Sequence, residues 1–424
     1  MKESFLHYIW QSSQFDHQNL QTTSGQKLGI IKPGLAHSDG GPDFQNALIS
    51  IENHKWAGHV EIHINSSDWF KHNHHLDAAY DGTVLHVVHT HDAEVKRTNN
   101  TVIPCLELRS IISDSQYQLY ESLTNNSHQI PCENLLPSVP NHIKTLTLEA
   151  RSIERLEAKS LTIYDKLKSS NHDWQEVLYQ LISRSFGMRI NALPFELLAK
   201  QLPLSLLSKY KNQPDTIVAL FFGVAGFLHG KHKDNYPKSL YSEFSFYQQK
   251  HNLLPIPISS WKFLRLRPAN FPPVRIAQLA AVIFNTDSLF GTIKDKMRLP
   301  DLQLLFDKEI SKYWETHYRF DVTSNAKQKR IGSSLIHSII INAIVPVYYS
   351  YGLEQNDLNL QEICLDLLSS IPAEQNTYVN YYKNNGVQVD NALQSQGVLQ
   401  LHQKFCIFKN CLNCQIGHAI LKRV

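Results

Sequence analysis

Apolar residues recur along this chain with two different periods, and the period changes near residue 112. Before that point the apolar runs are short: QKLGIIK, NALISIE, WAGHVEIHI, TVLHVVHT and VIPCLEL, separated by Gly, Pro, Asn and Asp. Such runs read as about five strands, and the opening ESFLHYIWQ reads as one helix. A small α+β module is expected over 1–112. After about residue 140 apolar positions recur at helical spacing, as in HIKTLTLEARSIERLEAKSLTIYDKLKSS, DWQEVLYQLISRSF, INALPFELLAKQL and LPDLQLLFDKEISKYWE. This pattern predicts a mostly α-helical region over 141–424. The segment 113–140, with TNNSHQIPCENLLPSVP as its loop, reads as a connection.

Two fragments of the first module carry chemistry. In HVEIHI, strict alternation sends Val60, Ile62 and Ile64 to a core and leaves His59, Glu61 and His63 together on the outward face. In GGPDF, Asp43 follows a proline. Between Asp43 and Glu61 lie one strand (ALISI), a polar turn (ENHK) and the start of the next strand, so a hairpin can bring the two acids side by side. Paired carboxylates suit a hard cation, Mg²⁺ or Mn²⁺, which keeps positions open for phosphate oxygens and water. The plainer reading is a turn aspartate and a glutamate on the solvent face of an amphipathic strand.

Histidine is the compositional outlier, with 22 in the chain and nine of them from His54 to His91. His74 and Asp77 precede the strand TVLHVVHT and are the best placed to join an Asp43–Glu61 site, with Asp68 as a third acid. His86 sits in an apolar run, where a hydrogen-bonded structural role is commoner than ligation. The density also fits a zinc hydrolase, although no HExxH pattern is present. At the other end, Cys406, Cys411, Cys414 and His418 are spaced C-x4-C-x2-C-x3-H, a soft donor set for Zn²⁺. An iron–sulfur cluster is the less favoured alternative, its fourth thiolate coming from Cys105, Cys132 or Cys364. The rival reading is cysteines packed as small apolar residues. In LRLRPANFPPVRIAQLA, Arg265, Arg267 and Arg275 surround a helix start that Asn270 would cap. They could bind nucleic-acid phosphates or lock helices internally.

Overall composition narrows the class. With 42% hydrophobic and 19% charged residues, the chain reads as globular rather than disordered. The formal charge of +3 neither requires nor excludes nucleic acid. No leader-like start and no run of about 18 apolar residues occur, so no membrane partner is expected. PDTIVALFFGVAGFLHG reads as a buried core helix. Sparse cysteines suit a reducing cytoplasm.

The layout of residues 1–112 resembles the PD-(D/E)XK nuclease superfamily: a helix, a strand hairpin carrying two acids, and a further helix and strand. The resemblance places its proline and aspartate on Pro42 and Asp43 and its second acid on Glu61. Its water-orienting lysine would fall on His63, a departure from the pattern. HNHHLDAAYDG would supply the following helix, with Asp77 and Tyr80 at i, i+3 spacing. GPDFQNALI, the WAGHVEIHI…VLHVVH stretch, LRLRPANFPPVRIAQLA and CLNCQIGH also resemble one family of bacterial proteins, a domain of unknown function of about this length. The expectation is metal-dependent phosphodiester hydrolysis on DNA or RNA. The alternatives are a non-enzymatic nucleic-acid-binding scaffold and a histidine-rich zinc hydrolase of a small substrate.

Overall fold

A computed structural model describes residues 1–37 and 40–422. The chain folds as two compact units. One comprises Met1–Thr147, Asn384–Val387 and Leu401–Val424, the other Leu148–Lys383 and Gln388–Gln400.

The first unit is built on a mixed sheet. Helix α1 (Glu3–Gln11) buries Phe5, Leu6, Ile9 and Trp10, one turn apart in pairs, and packs against β4 (His54–Asn65). The other strands are β1 (Leu28–Lys32), β2 (Leu35–Ala36), β3 (Phe44–Ile51), β5 (Thr83–Thr90) and β6 (Cys105–Glu107). Their order is β1-β3-β4-β5-β6, with β2 also on β3. The β1–β3 and β3–β4 pairs are antiparallel; β4–β5 and β5–β6 are parallel. A parallel step requires a crossover, which here runs from Ser66 to Gly82 through α2 (Asp68–Lys71) and the 3₁₀ turns His74–Leu76 and Ala78–Tyr80. HNHHLDAAYDG therefore forms two short turns and not one helix.

The β3–β4 hairpin closes on Glu52 and Asn53, with Glu52 in the left-handed region at φ +50°. Its register runs from Ile51 opposite His54 to Phe44 opposite Val60, with a bulge between Phe44 and Ala47. Gly58 of β4 packs tightly on the start of β5, where a Cβ would lie 2.4 Å from Val84 Cγ1 and 2.5 Å from the Gly82 carbonyl oxygen. β5 is buried on both faces over its first six residues, the pattern of a central parallel strand.

Residues 113–140 hold more structure than a connection. Helix α3 (Asp114–Asn125) buries Gln116, Tyr120 and Leu123, and Tyr120 stacks on Phe5 with centroids 5.1 Å apart. This narrow stripe is masked in the sequence by its polar neighbours.

The second unit is mainly helical. Apolar helices Pro214–Val224 and Pro272–Phe284 lie in its core. Ser333–Gln355 is long and apolar enough to cross a membrane, but 72% of its apolar window is buried within the fold, as in a core helix. In LPDLQLLFDKEISKYWE the helix stops at Phe306, because Lys308–Ser311 present one apolar residue and no stripe to bury. A short hairpin, His317–Arg319 with Val322–Thr323, follows.

Candidate metal centre

The hairpin register puts Asp43, the residue before β3, opposite Glu61 in β4. The two acids interlock through the backbone. The Asp43 N–H donates to Glu61 Oε2 at 3.0 Å, and the Ile62 N–H donates to Asp43 Oδ2 at 2.9 Å. These two bonds fix both side chains at one end of the hairpin. From α1, His7 brings Nε2 to 3.3 Å from Asp43 Oδ2.

Glu61 and His63 share a face, as the alternation requires, but that face is not solvent-exposed. Glu61 is 4% and His63 1% exposed, because the crossover roofs them. Trp69 is fully buried, edge-on to His74 and tilted against His86, with both centroids 5.3 Å away. Its Nε1 donates to the Lys96 carbonyl. The crossover is pinned at its start by Asp92, which accepts from the Ser67 N–H and the Ser66 hydroxyl. Asp68 accepts from the Asn65 N–H and pairs with Lys71; it serves the turn.

Under this roof three imidazoles converge. His63, His72 and His74 each offer a nitrogen within 4.8 Å of the others, and among the described residues this is the one group of three or more donors so gathered. His63 Nε2 lies 3.1 Å from His72 Nδ1, and His63 Nδ1 lies 2.9 Å from His86 Nε2. Glu61 Oε1 is 3.2 Å from His74 Nε2 and 3.6 Å from His63 Nε2. His63 and His74 are buried while His72 is exposed, so the group opens to solvent on one side. Tyr80 stacks on His74 with centroids 3.8 Å apart, which holds that ring in place. Asp77 stays outside the group: it is exposed, and its carboxylate caps the turn by accepting from the Ala79 N–H at 2.9 Å.

Burial dominates the electrostatics. It raises Glu61 to about 8, helped by the negative charge of Asp43. Burial and the neighbouring imidazoles His86, His72 and His74 push His63 down to about 3, and burial takes His86 to about 3 as well. His74 is lowered by burial and by His72. His7 is the exception: burial lowers it, yet the bond and charge of Asp43 with Glu3 outweigh this and raise it. Neutral, desolvated imidazoles beside a carboxyl that resists ionisation form a site that an added cation would stabilise. The donors fit a metal ion on these grounds. His63 cannot provide the positive charge of a lysine, but its neutral ring is a competent ligand, and the His63 Nδ1–His86 contact is the kind of outer-shell partner that orients one.

A cleft of about 500 Å³ leads away from Asp43 and His7, bounded by Phe44, Tyr120, Lys404 and Asn410. The C-terminal cysteines lie on three successive short elements. Cys406 ends a turn of π-helix (His402–Cys406), Cys411 opens a 3₁₀ turn, and Cys414 is extended at φ −113°, ψ 127° before helix Gln415–Leu421. Cys411, Cys414 and His418 thus do not share one helix face. His418 turns Nε2 to the Leu412 carbonyl and its ring to Tyr8. In the second unit, Arg275 is buried and donates to Gln278 Oε1 at 2.7 Å and Asn270 Oδ1 at 2.6 Å. It locks the helix start internally. Asn270 serves Arg275, leaving Phe271 at the cap position without a side-chain bond. Arg265 and Arg267 are exposed.

The family model described as "Protein of unknown function (DUF2851)" matches residues 3–377. The chain belongs to this family. No curated protein and no solved structure matches it. The DUF2851 span takes in Asp43, Glu61 and all three imidazoles, whereas Cys406, Cys411, Cys414 and His418 follow it.

Sequence reasoning missed His7 and Glu3, because α1 carries no local signal that its polar side meets the end of β3. His72 was visible within HNHH, but only the crossover geometry separates it from His75, which lies outside the group. Asp92 was missed because its partners are 25 and 26 residues away.

Proposed function

We propose that this chain is a metal-dependent hydrolase of phosphodiester bonds, nuclease-like in its first unit. The observation that carries the reading is the hairpin register that sets Asp43 against Glu61 beside three converging imidazoles. Support comes from the strand order: a helix, an antiparallel meander bearing both acids, then a crossover to a parallel strand is the plan of the PD-(D/E)XK superfamily. His63, His72 and His74, with Glu61, would hold the cation. When bound, it would polarise a phosphoryl oxygen and make a bound water more acidic. A donor set this rich in imidazole favours Zn²⁺ or Mn²⁺ over Mg²⁺. Asp43, held by the Ile62 amide, faces the cleft and would orient water. His7, whose proton Asp43 and Glu3 hold more tightly against the effect of burial, would donate to an anionic oxygen of substrate. Tyr80 is a positioning residue through its stack on His74. Exposed Arg265 and Arg267 remain candidates for backbone phosphates.

The test is cleavage of single- and double-stranded DNA and of RNA by purified protein with Mn²⁺, Zn²⁺ or Mg²⁺. Cleavage by the wild type, lost in Asp43→Asn while metal content and circular dichroism persist, supports the reading. Absence of cleavage on every polymer by well-folded, metal-loaded protein overturns it. The opening of the imidazole group through His72 favours one second reading, a small phosphodiester as substrate. Hydrolysis of bis(p-nitrophenyl) phosphate without polymer cleavage would select it.

A further inference from the structure

We propose that the cleft at Asp43 takes a single-stranded polynucleotide and not a duplex, with Phe408 as the platform for one base and Lys404 as the contact for a backbone phosphate. This rests on the hydrolase reading only for the phosphodiester that the strand brings to Asp43.

One wall of the cleft is an irregular segment of the chain. Residues His402–Cys406 form a turn of π-helix, a form that is rare and recurs at functional sites. The turn ends in a reversal: the Lys409 N–H donates to the Cys406 carbonyl at 3.0 Å and the Asn410 N–H to the Phe405 carbonyl at 2.9 Å. That pair of bonds calls for a left-handed residue at 409, a place that usually holds glycine. Lys409 stands there instead, at φ +52°, and its ammonium donates to the carbonyls of Thr124 at 2.7 Å and Asn126 at 2.6 Å. A strained residue anchored by its own side chain fixes where its neighbours point.

What it fixes is an exposed phenylalanine. Phe408 bounds the cleft and is 69% exposed, and no aromatic ring stacks on it among the described residues. Scattered apolar residues on a surface need no account, but this one stands at the rim of a polar cleft, four residues on from an exposed lysine that bounds the same cleft. Of the residues bounding the cleft, Asp43 is the one acid, and Lys404 and Lys409 are cations. Cations beside an open aromatic face are what single strands use: stacking holds a base of any identity, and the positive charge holds the phosphate.

Size selects the strand. At about 500 Å³ the cleft is in the range of pockets that enclose one small ligand. It can take a nucleotide, whereas a base pair brings two backbones. A duplex also keeps its base faces stacked inside the helix, where Phe408 could reach them only by unstacking them at an energetic cost.

The assay is fluorescence anisotropy of a labelled oligothymidylate or oligouridylate of about ten nucleotides, and of a duplex of equal length, on the full chain in chelator so that turnover does not intrude. The single strands should bind at least tenfold more tightly than the duplex. Phe408→Ala should weaken single-strand binding roughly ten- to a hundredfold, and Phe408→Trp should restore it. Lys404→Ala should lower the dependence of log affinity on log salt by about 0.7, the share of one phosphate contact on a single strand. Ile407→Ala, at an exposed neighbour that does not bound the cleft, should bind like the wild type. Equal affinity for the duplex, no binding of single strands, or equal effects of Phe408→Ala and Ile407→Ala would each overturn the proposal. Single-strand binding that needs Phe408, without cleavage by metal-loaded protein, would remove the hydrolase and keep the rim. Cleavage by a protein whose Phe408→Ala variant binds like wild type would remove the rim alone.

Discussion

Glu61 should make the metal-free protein less stable as pH rises, against the usual trend for a carboxylate. The usual acid is depressed on folding and stabilises above its unfolded value. Here burial raises Glu61 from 4.5 to about 8, so between those values the folded chain holds a proton that the unfolded chain has released. Stability then falls with increasing pH through that window, by about 1.4 kcal/mol per pH unit. Below 4.5 both states are protonated and the penalty vanishes; above 8 it is complete. The full window corresponds to roughly 5 kcal/mol as a ceiling, and local opening that lets water reach the carboxyl reduces it to about 2–4 kcal/mol. Glu61→Gln imitates the protonated acid: its amide oxygen can still accept the Asp43 N–H, and its amide can face His74. The variant should lack this pH-dependent loss. Hydrogen exchange of β4 peptides, measured in chelator at pH 5 and pH 8, isolates the first unit. Comparing the two proteins at each pH cancels intrinsic exchange chemistry. Wild-type β4 should lose 2–4 kcal/mol more protection than the variant between the two pH values. Equal losses would show that Glu61 ionises in the fold without penalty, and the electrostatic account of the site would fail.

Other perturbations test the architecture. Gly58→Ala places a methyl group against Val84 and the Gly82 carbonyl and should cost about 1–3 kcal/mol; an unchanged melting temperature would contradict the close β4–β5 approach. Trp69→Ala removes the roof over His74 and His86 and should cost about 3–5 kcal/mol, with at least a tenfold loss of Co²⁺ affinity at the imidazole group by calorimetry; Trp69→Phe should recover most of both. Arg275→Met leaves Asn270 and Gln278 without their partner and should lower stability in urea by about 1–3 kcal/mol. Any nucleic-acid binding should be unchanged in it, so a reduced salt dependence of binding would reassign Arg275 to the surface.

Much of the site was legible locally. Period-two alternation in HVEIHI sets Glu61 and His63 on one face for any strand, because successive side chains point to opposite sides. The short turn between ALISI and WAGHVEIHI brings Asp43 back to Glu61 because hairpin register follows from loop length. Helical periods after residue 141 likewise revealed the class of the second unit. The rest depends on residues distant in sequence. The alternation cannot say whether the second face of β4 meets water; the crossover, clamped by Asp92, decides that it does not and thereby changes a solvent-facing acid into one that resists ionisation. Which of the clustered histidines converge follows from two 3₁₀ turns too short to have a period. His7 reaches Asp43 through the packing of α1 on the sheet. Local sequence determined strands, helices and the sharing of faces, since these follow from backbone geometry and side-chain period. Tertiary structure decided burial, and with it the charge state of Glu61 and the company of each donor, since desolvation and proximity depend on what packs above a residue.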